Sequence, residues 1–318
     1  MNQSGGVFKI SPFFQETICY FGQKEVFEEA SESIKRLRGV EVNAKQIERV
    51  CHHYGEVLEK ELEQSIASGV PAFNEIDKED VHYAMMDGSM ILTREEKWKE
   101  IKLGRLFPAK SNVQISQGHG IITESHYVAH LGGHEEFLEK FDHYVSCLPN
   151  PVFIADGARW IWNWVEAFHP KAIQILDFYH AKEHLCQYAM LYFKEEIMAK
   201  QWIDDQTKLL LDDQVNEVIS HIADLPDTNN KKEKQARDNL INYYSENSKR
   251  MQYKTFQESE LLIGSGAIEA AHRTIIQHRL KLSGQRWTMK GAQQLVNLRM
   301  AHKSNQWNHV KDLTKNAA

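Results

Sequence analysis

The sequence predicts an α/β protein in which a mixed sheet carries helices on both faces. Three observations predict it. Up to about residue 67 apolar residues recur at three- and four-residue steps. Between about 79 and 186 the period becomes strand-like, and from about 187 to 262 it returns to helical and polar. Within the middle region three strands come first and helices then alternate with strands, the order β-β-β-α-β-α-β-α. That order suits a sheet with both antiparallel and parallel neighbours. A chain of 318 residues is long enough to bury such a core in one large domain or about two.

Taken in order, Pro12 opens a first helix, and Phe27, Ala30, Ile34 and Leu37 mark one face of a second. Gly39 breaks that pattern. Asn43 then caps a helix with Ile47, Val50 and Tyr54 on one side. Residues 1–75 are therefore helical and resemble a helix-turn-helix, although any two packed helices of a bundle share the pattern, and DNA contact and plain packing both remain open. Residues 76–186 form the first part of the core. Strands are expected at 81–92, 98–107 and 120–131, then a helix at 134–147. The apolar run 151–155 emptying into Asp156-Gly157 reads as a buried strand. A helix with Trp160, Trp164 and Phe168 and a buried strand at 172–176 follow. Residues 187–262 are helical, with clustered leucines (Leu209, Leu210, Leu211) and a break at 226–230. In 263–318 a closing helix begins near Ala267, Ser283-Gly284 interrupts it, and a last helix spans about 288–302.

Charge and composition limit the function classes. No run of about 18 apolar residues exists to span a bilayer, and residues 1–10 lack the basic and apolar stretches of a secretory signal, so a cytoplasmic protein without a membrane partner is expected. Four cysteines without CxxC spacing make neither a disulfide framework nor a cysteine zinc site. The net charge of -6 looks unsuited to nucleic acid, but it is unevenly spread. From residue 270 onward nine Lys or Arg face one acid, Asp312, which gives +8 and leaves -14 on the other 269 residues. A basic end on an acidic body fits a polyanionic partner; a pair of solvated amphipathic helices gives the same count.

Three acids stand at special places. Asp87 lies mid-strand among apolar neighbours, where an unpaired charge is unfavourable. Asp156 ends a buried strand, where ligands of open sheets collect. Glu269 opens the closing helix beside Ala267, Ala270 and Ala271, small residues that permit close approach. Singly, an Asp-Gly pair is a common turn, and a glutamate in a first helical turn complements the dipole. Together on this element order, three carboxylates suit metal-assisted phosphoryl transfer. Two hard Mg²⁺ or Mn²⁺ ions about 4 Å apart clamp an in-line displacement at phosphorus.

The motifs Asp87-Gly-Ser-Met, Asp156-Gly-Ala-Arg-Trp-Ile-Trp, Ile-Leu-Asp177-Phe-Tyr-His180-Ala-Lys-Glu-His184 and Gly-Ser-Gly-Ala-Ile-Glu269 occur in an order that resembles the bacterial insertion-sequence transposases of the ISKra group, and more distantly the Mutator-like transposases. The resemblance covers about residues 80–305. It implies a DDE enzyme with an RNase H-like fold that cleaves and transfers DNA strands. Asp87, Asp156 and Glu269 match the catalytic, metal-binding acids, Asp177 and His180 match the family's signature after the second aspartate, and residues 187–262 match its all-α insertion. Two Mg²⁺ or Mn²⁺ ions, double-stranded DNA (terminal inverted repeats and target) and a homo-oligomer are implied with it. Family members often carry more sequence ahead of the first helices, which bears on recognition of the element's ends and leaves a truncated or decayed DNA-binding copy as the alternative. An RNase H-like nuclease is another.

His180 and His184 at i, i+4 have metal-compatible spacing, but without a third ligand Asp177 and His180 are expected to orient or hydrogen-bond near the site or its DNA strand. Trp160, Trp162 and Trp164 suit base stacking, yet Trp160 and Trp164 at helical spacing read first as core. Arg273, Arg279, Lys281 and Arg286 follow Glu269 closely and are expected to reach DNA phosphates.

Overall fold

The computed structural model describes residues 8–73, 76–116 and 119–316, so residues 1–7 of the stretch read for a secretory signal lie outside it. Two compact units divide the chain: residues 1–151 with 267–318, and residues 152–266.

In the first unit, Pro12 at the first helical position starts α1 (Pro12–Lys24). The second helix, α2 (Phe27–Arg38), stops at Gly39, whose φ of 68° only glycine adopts without strain. Asn43 then caps α3 (Ala44–Ser68), its Oδ1 accepting from the Gln46 N–H at 2.8 Å. Ala30, Ile34, Ile47, Val50 and Tyr54 are buried, in keeping with the pattern; Leu37, expected on the same face, is 65% exposed in the last turn before the break.

The period-two region forms β1 (His82–Leu92) and β2 (Trp98–Pro108), antiparallel, with Asp87 opposite Leu103. The one strand expected at 120–131 is two. Residues Asn112–Ser116 (β3) and His119–Ile122 (β4) pair as a separate hairpin, and β5 (His126–Leu131) then joins the free side of β2. Thr123 still donates its backbone N–H to the Ser111 carbonyl at 2.9 Å, one rung beyond the β3–β4 register, before the chain leaves for β5. Helix α4 (His134–Val145) follows.

In the second unit β6 (Pro151–Ala155) and β7 (Ile173–Leu176) are parallel and joined through α5 (Arg159–Phe168). The buried stripe of α5 is Ile161, Trp162, Trp164 and Val165; Phe168 is 67% exposed. The expected Trp160–Trp164–Phe168 face is thus rotated: four-residue steps drift by ~40° each around an α-helix, and only Trp164 stays inside. The rest of the unit is helical: α6 (Phe178–Tyr192), α7 (Glu196–Leu211), α8 (Val215–Ala223), α9 (Lys231–Asn247) and α10 (Tyr253–Glu258). Of the leucine cluster, Leu210 is the fully buried member, and the break before α9 falls where Pro226 placed it.

The chain returns to the first unit through α11 (Gly266–Ala271), a π-helical turn (His272–Gln277) and α12 (His278–Leu280). Gly284, at φ 77°, makes the break, and Thr288 caps α13 (Met289–Lys303). A last helix, α14 (Trp307–Asn316), was not expected; its signal is the spacing of Trp307, Val310 and Thr314. Helix α13 is buried from Gly291 to Arg299, polar residues included. Gln293 explains why: its Oε1 accepts from the Leu131 N–H at 2.8 Å and its Nε2 donates to the Ala129 carbonyl at 3.1 Å, so the side chain pairs the outer edge of β5 as a strand would. Against α3 the fit is close, since a Cβ on Gly55 would lie 2.0 Å from the Gln294 carbonyl oxygen. The architecture is mixed α/β, antiparallel in one unit and parallel in the other. Among the described residues no helix is long and apolar enough to cross a membrane.

One partly buried group of the first unit makes its stability depend on pH. His126 stacks on Tyr144 with ring centroids 4.0 Å apart, and burial lowers its pKa to about 4. The unfolded chain takes up this proton below about pH 6.5, the folded chain only below about 4. Stability is therefore full above pH 6.5 and falls as pH drops toward 4, on the order of 1 kcal/mol per pH unit from this group. Urea titrations at pH 5 and 7 should show His126→Phe to be less acid-sensitive than the unaltered chain.

Candidate active site

Asp87 sits where β1 passes from fully buried residues (Ala84, Met85, Met86) to half-exposed ones, and its side chain is 41% exposed. Its Oδ1 accepts from the Gly88 N–H at 2.7 Å. Buried His272 approaches from the π-helical turn: Nε2 lies 3.1 Å from the Asp87 carbonyl oxygen and 3.7 Å from Oδ2. Because a carbonyl only accepts, the hydrogen bond puts the ring proton on Nε2. Glu269 is on the first turn of the same helical segment, three residues ahead of His272, and is exposed. A second tie comes from β2. Buried Arg105 donates through Nη1 to the Ala267 carbonyl at 2.6 Å and through Nε to Ser125 Oγ at 3.0 Å. The β1–β2 pair thus grips the Glu269 helix at Ala267 and His272. Within this unit, residues far apart in sequence come together: Asp87 and the helix of Glu269.

Asp156 ends β6 in the other unit. Its Oδ1 accepts from the Ala158 N–H at 3.0 Å, and its carbonyl accepts from Trp162 Nε1 at 2.7 Å, so the strand end and the start of α5 are locked together. Gly157 is needed here because a Cβ would lie 2.1 Å from the Tyr243 ring. Burial, then the Asp156 and Asp177 carboxylates, push the Tyr243 phenol well up, so it remains an O–H group. His184 packs on that ring with centroids 4.5 Å apart. Burial and then neighbouring His180 hold the His184 imidazole below its usual value.

Asp177 was expected to orient or hydrogen-bond near the site or its DNA strand. It is 1% exposed and cannot touch a DNA strand. Its carboxylate caps α6, Oδ1 accepting from the N–H groups of Tyr179 (2.6 Å) and His180 (3.2 Å). Oδ2 accepts from the Ser265 N–H at 3.0 Å and from the Ser265 hydroxyl. It therefore pins the residue just before α11. His180, by contrast, is exposed, 5.9 Å from His184 between ring centroids.

The basic residues divide. Arg273, Lys281 and Arg286 are exposed, but Arg279 is 1% exposed, which removes it from any phosphate contact. Its guanidinium lies over the rings of Phe27 (4.7 Å) and Trp287 (5.1 Å) and donates to the Gly22 carbonyl. Burial lowers it to about 10, so it remains a cation at neutral pH. Its place four residues after buried Ile275 was the available signal. Arg299 is likewise inside, donating to the carbonyls of Ile275, Thr274 and Gln23. The basic end therefore shows solvent less charge than its sequence count.

Carboxylates on half-exposed or exposed positions are the donor chemistry that hard Mg²⁺ or Mn²⁺ takes. Among the described residues no group of three His, Cys, Asp or Glu side chains stands ready to hold a metal ion. The candidate acids meet the chemical requirement, not that of a preassembled cage. His272, Arg105, Tyr243 and Ser265 were missed from sequence. Only His272 left a trace there, as a titratable residue at i+3 from Glu269.

Fold and site define a mixed α/β protein with acids at a strand centre, a strand end and a helix start. The chain belongs to an uncharacterised protein family, UPF0236, whose profile matches residues 119–315. That stretch includes Asp156, Asp177, Glu269 and the basic residues, and leaves out Asp87. A comparison with curated proteins finds no match.

Proposed function

We propose that the chain is a DDE transposase of an insertion sequence, with an RNase H-like core and Asp87, Asp156 and Glu269 as its metal-binding acids. The observation that carries the reading is the double tie of the Glu269 helix to the β1–β2 pair, through His272 to Asp87 and through Arg105 to Ala267. A helix bearing a catalytic acid needs such anchoring, because a small misplacement of a reacting group costs large factors in rate. The order of the four acid-bearing motifs supports it independently.

The acids would hold Mg²⁺, which supplies charge neutralisation at the phosphate and a more reactive attacking oxygen. The residues of the chain do the rest. Gly88 N–H and Ala158 N–H each hold one oxygen of Asp87 and Asp156 in place. Exposed Arg273, Lys281 and Arg286 bind the phosphate backbone of double-stranded DNA, the inverted repeats and the target. The reading requires the three acids to act on one phosphodiester, first in hydrolysis and then in attack by the freed 3′-hydroxyl. Coupling two DNA ends calls for a homo-oligomer.

The test is incubation with Mg²⁺ and DNA carrying the element's ends. Joined strands are the expected product. Nicks alone point to an RNase H-like nuclease, and binding without either to a non-catalytic DNA-binding copy. In the same assay, affinity should fall steeply with salt, and replacing Arg273, Lys281 and Arg286 with alanine should lower the slope of log affinity against log salt by about 0.9 per lost contact. Arg279→Lys should leave that slope unchanged.

A further inference from the structure

We infer that His272 is a positioning residue for the acids of the first unit: by giving its Nε2 proton to the Asp87 carbonyl, it fixes the metal-binding stretch of β1 against the helix that carries Glu269. The inference rests on the proposed function, since it assigns a role inside that site.

Three observations carry it. The hydrogen bond of 3.1 Å joins residues 185 positions apart, so local chain geometry does not produce it. His272 is 3% exposed and its other ring nitrogen, Nδ1, has no hydrogen-bond partner among the described residues. A leucine would fill such a position without leaving a buried polar atom unpaired, so an imidazole kept here for packing alone is a poor choice. The third is the π-helical turn, which begins at His272 itself.

That turn has a geometric purpose. Along the segment, Ile268, His272, Ile276 and Leu280 are buried at four-residue steps, and so are Ala271, Ile275 and Arg279. In an α-helix such rows drift by ~40° per step and would leave the core by the third. A π-helical turn holds more residues per turn and drifts the opposite way, so inserting one straightens both rows. His272 then stays on the inner face while Glu269, three residues earlier, stays exposed. Placing the donor inside and the acid outside on one rigid segment couples the two acids: Asp87 can shift only if the helix of Glu269 shifts with it. Arg105 sets the other end of the segment at the Ala267 carbonyl, and the hydrogen bond to the Asp87 carbonyl is made by His272.

Partners that orient a metal-binding residue typically contribute 10- to 100-fold in metal affinity. Calorimetric titration of the full chain with Mn²⁺ is the test, with circular dichroism and thermal melting to check the fold. His272→Leu keeps an apolar body but has no donor, and should lower Mn²⁺ affinity by ~10–100-fold. His272→Gln restores an N–H donor and should bring affinity back to within a few-fold of the unaltered chain. A folded His272→Leu chain that binds Mn²⁺ as well as the original overturns the inference, as does a folded His272→Gln chain as weak as the leucine variant. Should the leucine variant fail to fold, ¹⁵N shifts of the imidazole decide, assigned by the signal lost in His272→Gln. A proton on Nε2 supports the assignment and one on Nδ1 overturns it. If the unaltered chain binds no Mn²⁺, or Asp87→Asn binds it undiminished, the transposase reading falls and this inference with it. The histidine variants alone decide the inference when that control holds.

Discussion

If the proposed function holds, Asp87→Asn, Asp156→Asn and Glu269→Gln should each reduce Mg²⁺-dependent strand cleavage by at least ~10³-fold, the rate equivalent of several kcal/mol of lost charge stabilisation, and leave the fold intact. The amides are chosen for what they preserve. Asparagine keeps an Oδ1 that can accept from Gly88 N–H at position 87 and from Ala158 N–H at position 156, so neither local turn is undone. Alanine at 156 would also release the turn that leads into α5, costing about 1 kcal/mol, and would mix a stability effect into the rate. Single-turnover cleavage of end-labelled DNA at saturating protein measures the chemical step. DNA binding should change little, because the proposed phosphate contacts are Arg273, Lys281 and Arg286. Cleavage by any of the three amide variants at the original rate removes that acid from the mechanism.

Asp177→Ala acts on stability instead. One buried carboxylate serves four donors: two N–H groups at the start of α6 and both polar groups of Ser265. Removing it leaves those donors unpaired in a site closed to water, and hydrogen bonds to charged groups are the strong ones. The expected loss is about 3–5 kcal/mol, a large share of the stability of an ordinary domain. It would be read as a lower urea midpoint at pH 7. Asp177→Asn should lose less, since one oxygen remains for α6 while its NH₂ faces the Ser265 N–H. If Asp177→Ala proves as stable as the original yet inactive, Asp177 belongs to the chemistry and its role as a cap is secondary.

Much of the fold was legible because element boundaries are written in local chemistry. Pro12, Asn43, Gly39, Gly284 and Thr288 start or stop helices within a few residues of themselves, and each does so here. Faces were less legible. Leu37 and Phe168 fit an apolar row but lie exposed at helix ends, and the strand read at 120–131 splits because its first part pairs with Asn112–Ser116 and its second with β2. The stretch after α13 offered only the weak spacing of Trp307, Val310 and Thr314, so α14 was not expected.

Among candidate site residues the same boundary appears. Asp87, Asp156 and Glu269 could be named from their motifs, since an acid in an apolar run is conspicuous wherever it occurs. Asp177 was conspicuous for the same reason, and nothing local reveals that Ser265, 88 residues on, uses its second oxygen.

By itself, the sequence determined the mixed α/β class, most helix boundaries and the concentration of basic residues after residue 270. Only the tertiary structure decided which of those charges face solvent, that Arg279 is enclosed by Phe27 and Trp287, and that His272 meets the Asp87 carbonyl. The physical reason is range. Capping, turn chemistry and periodicity act within one or two turns and leave their mark in neighbouring residues, whereas burial and hydrogen-bond pairing depend on what packs opposite. For Arg279 that is Gly22, 257 residues away, and for His272 it is Asp87, 185 residues away.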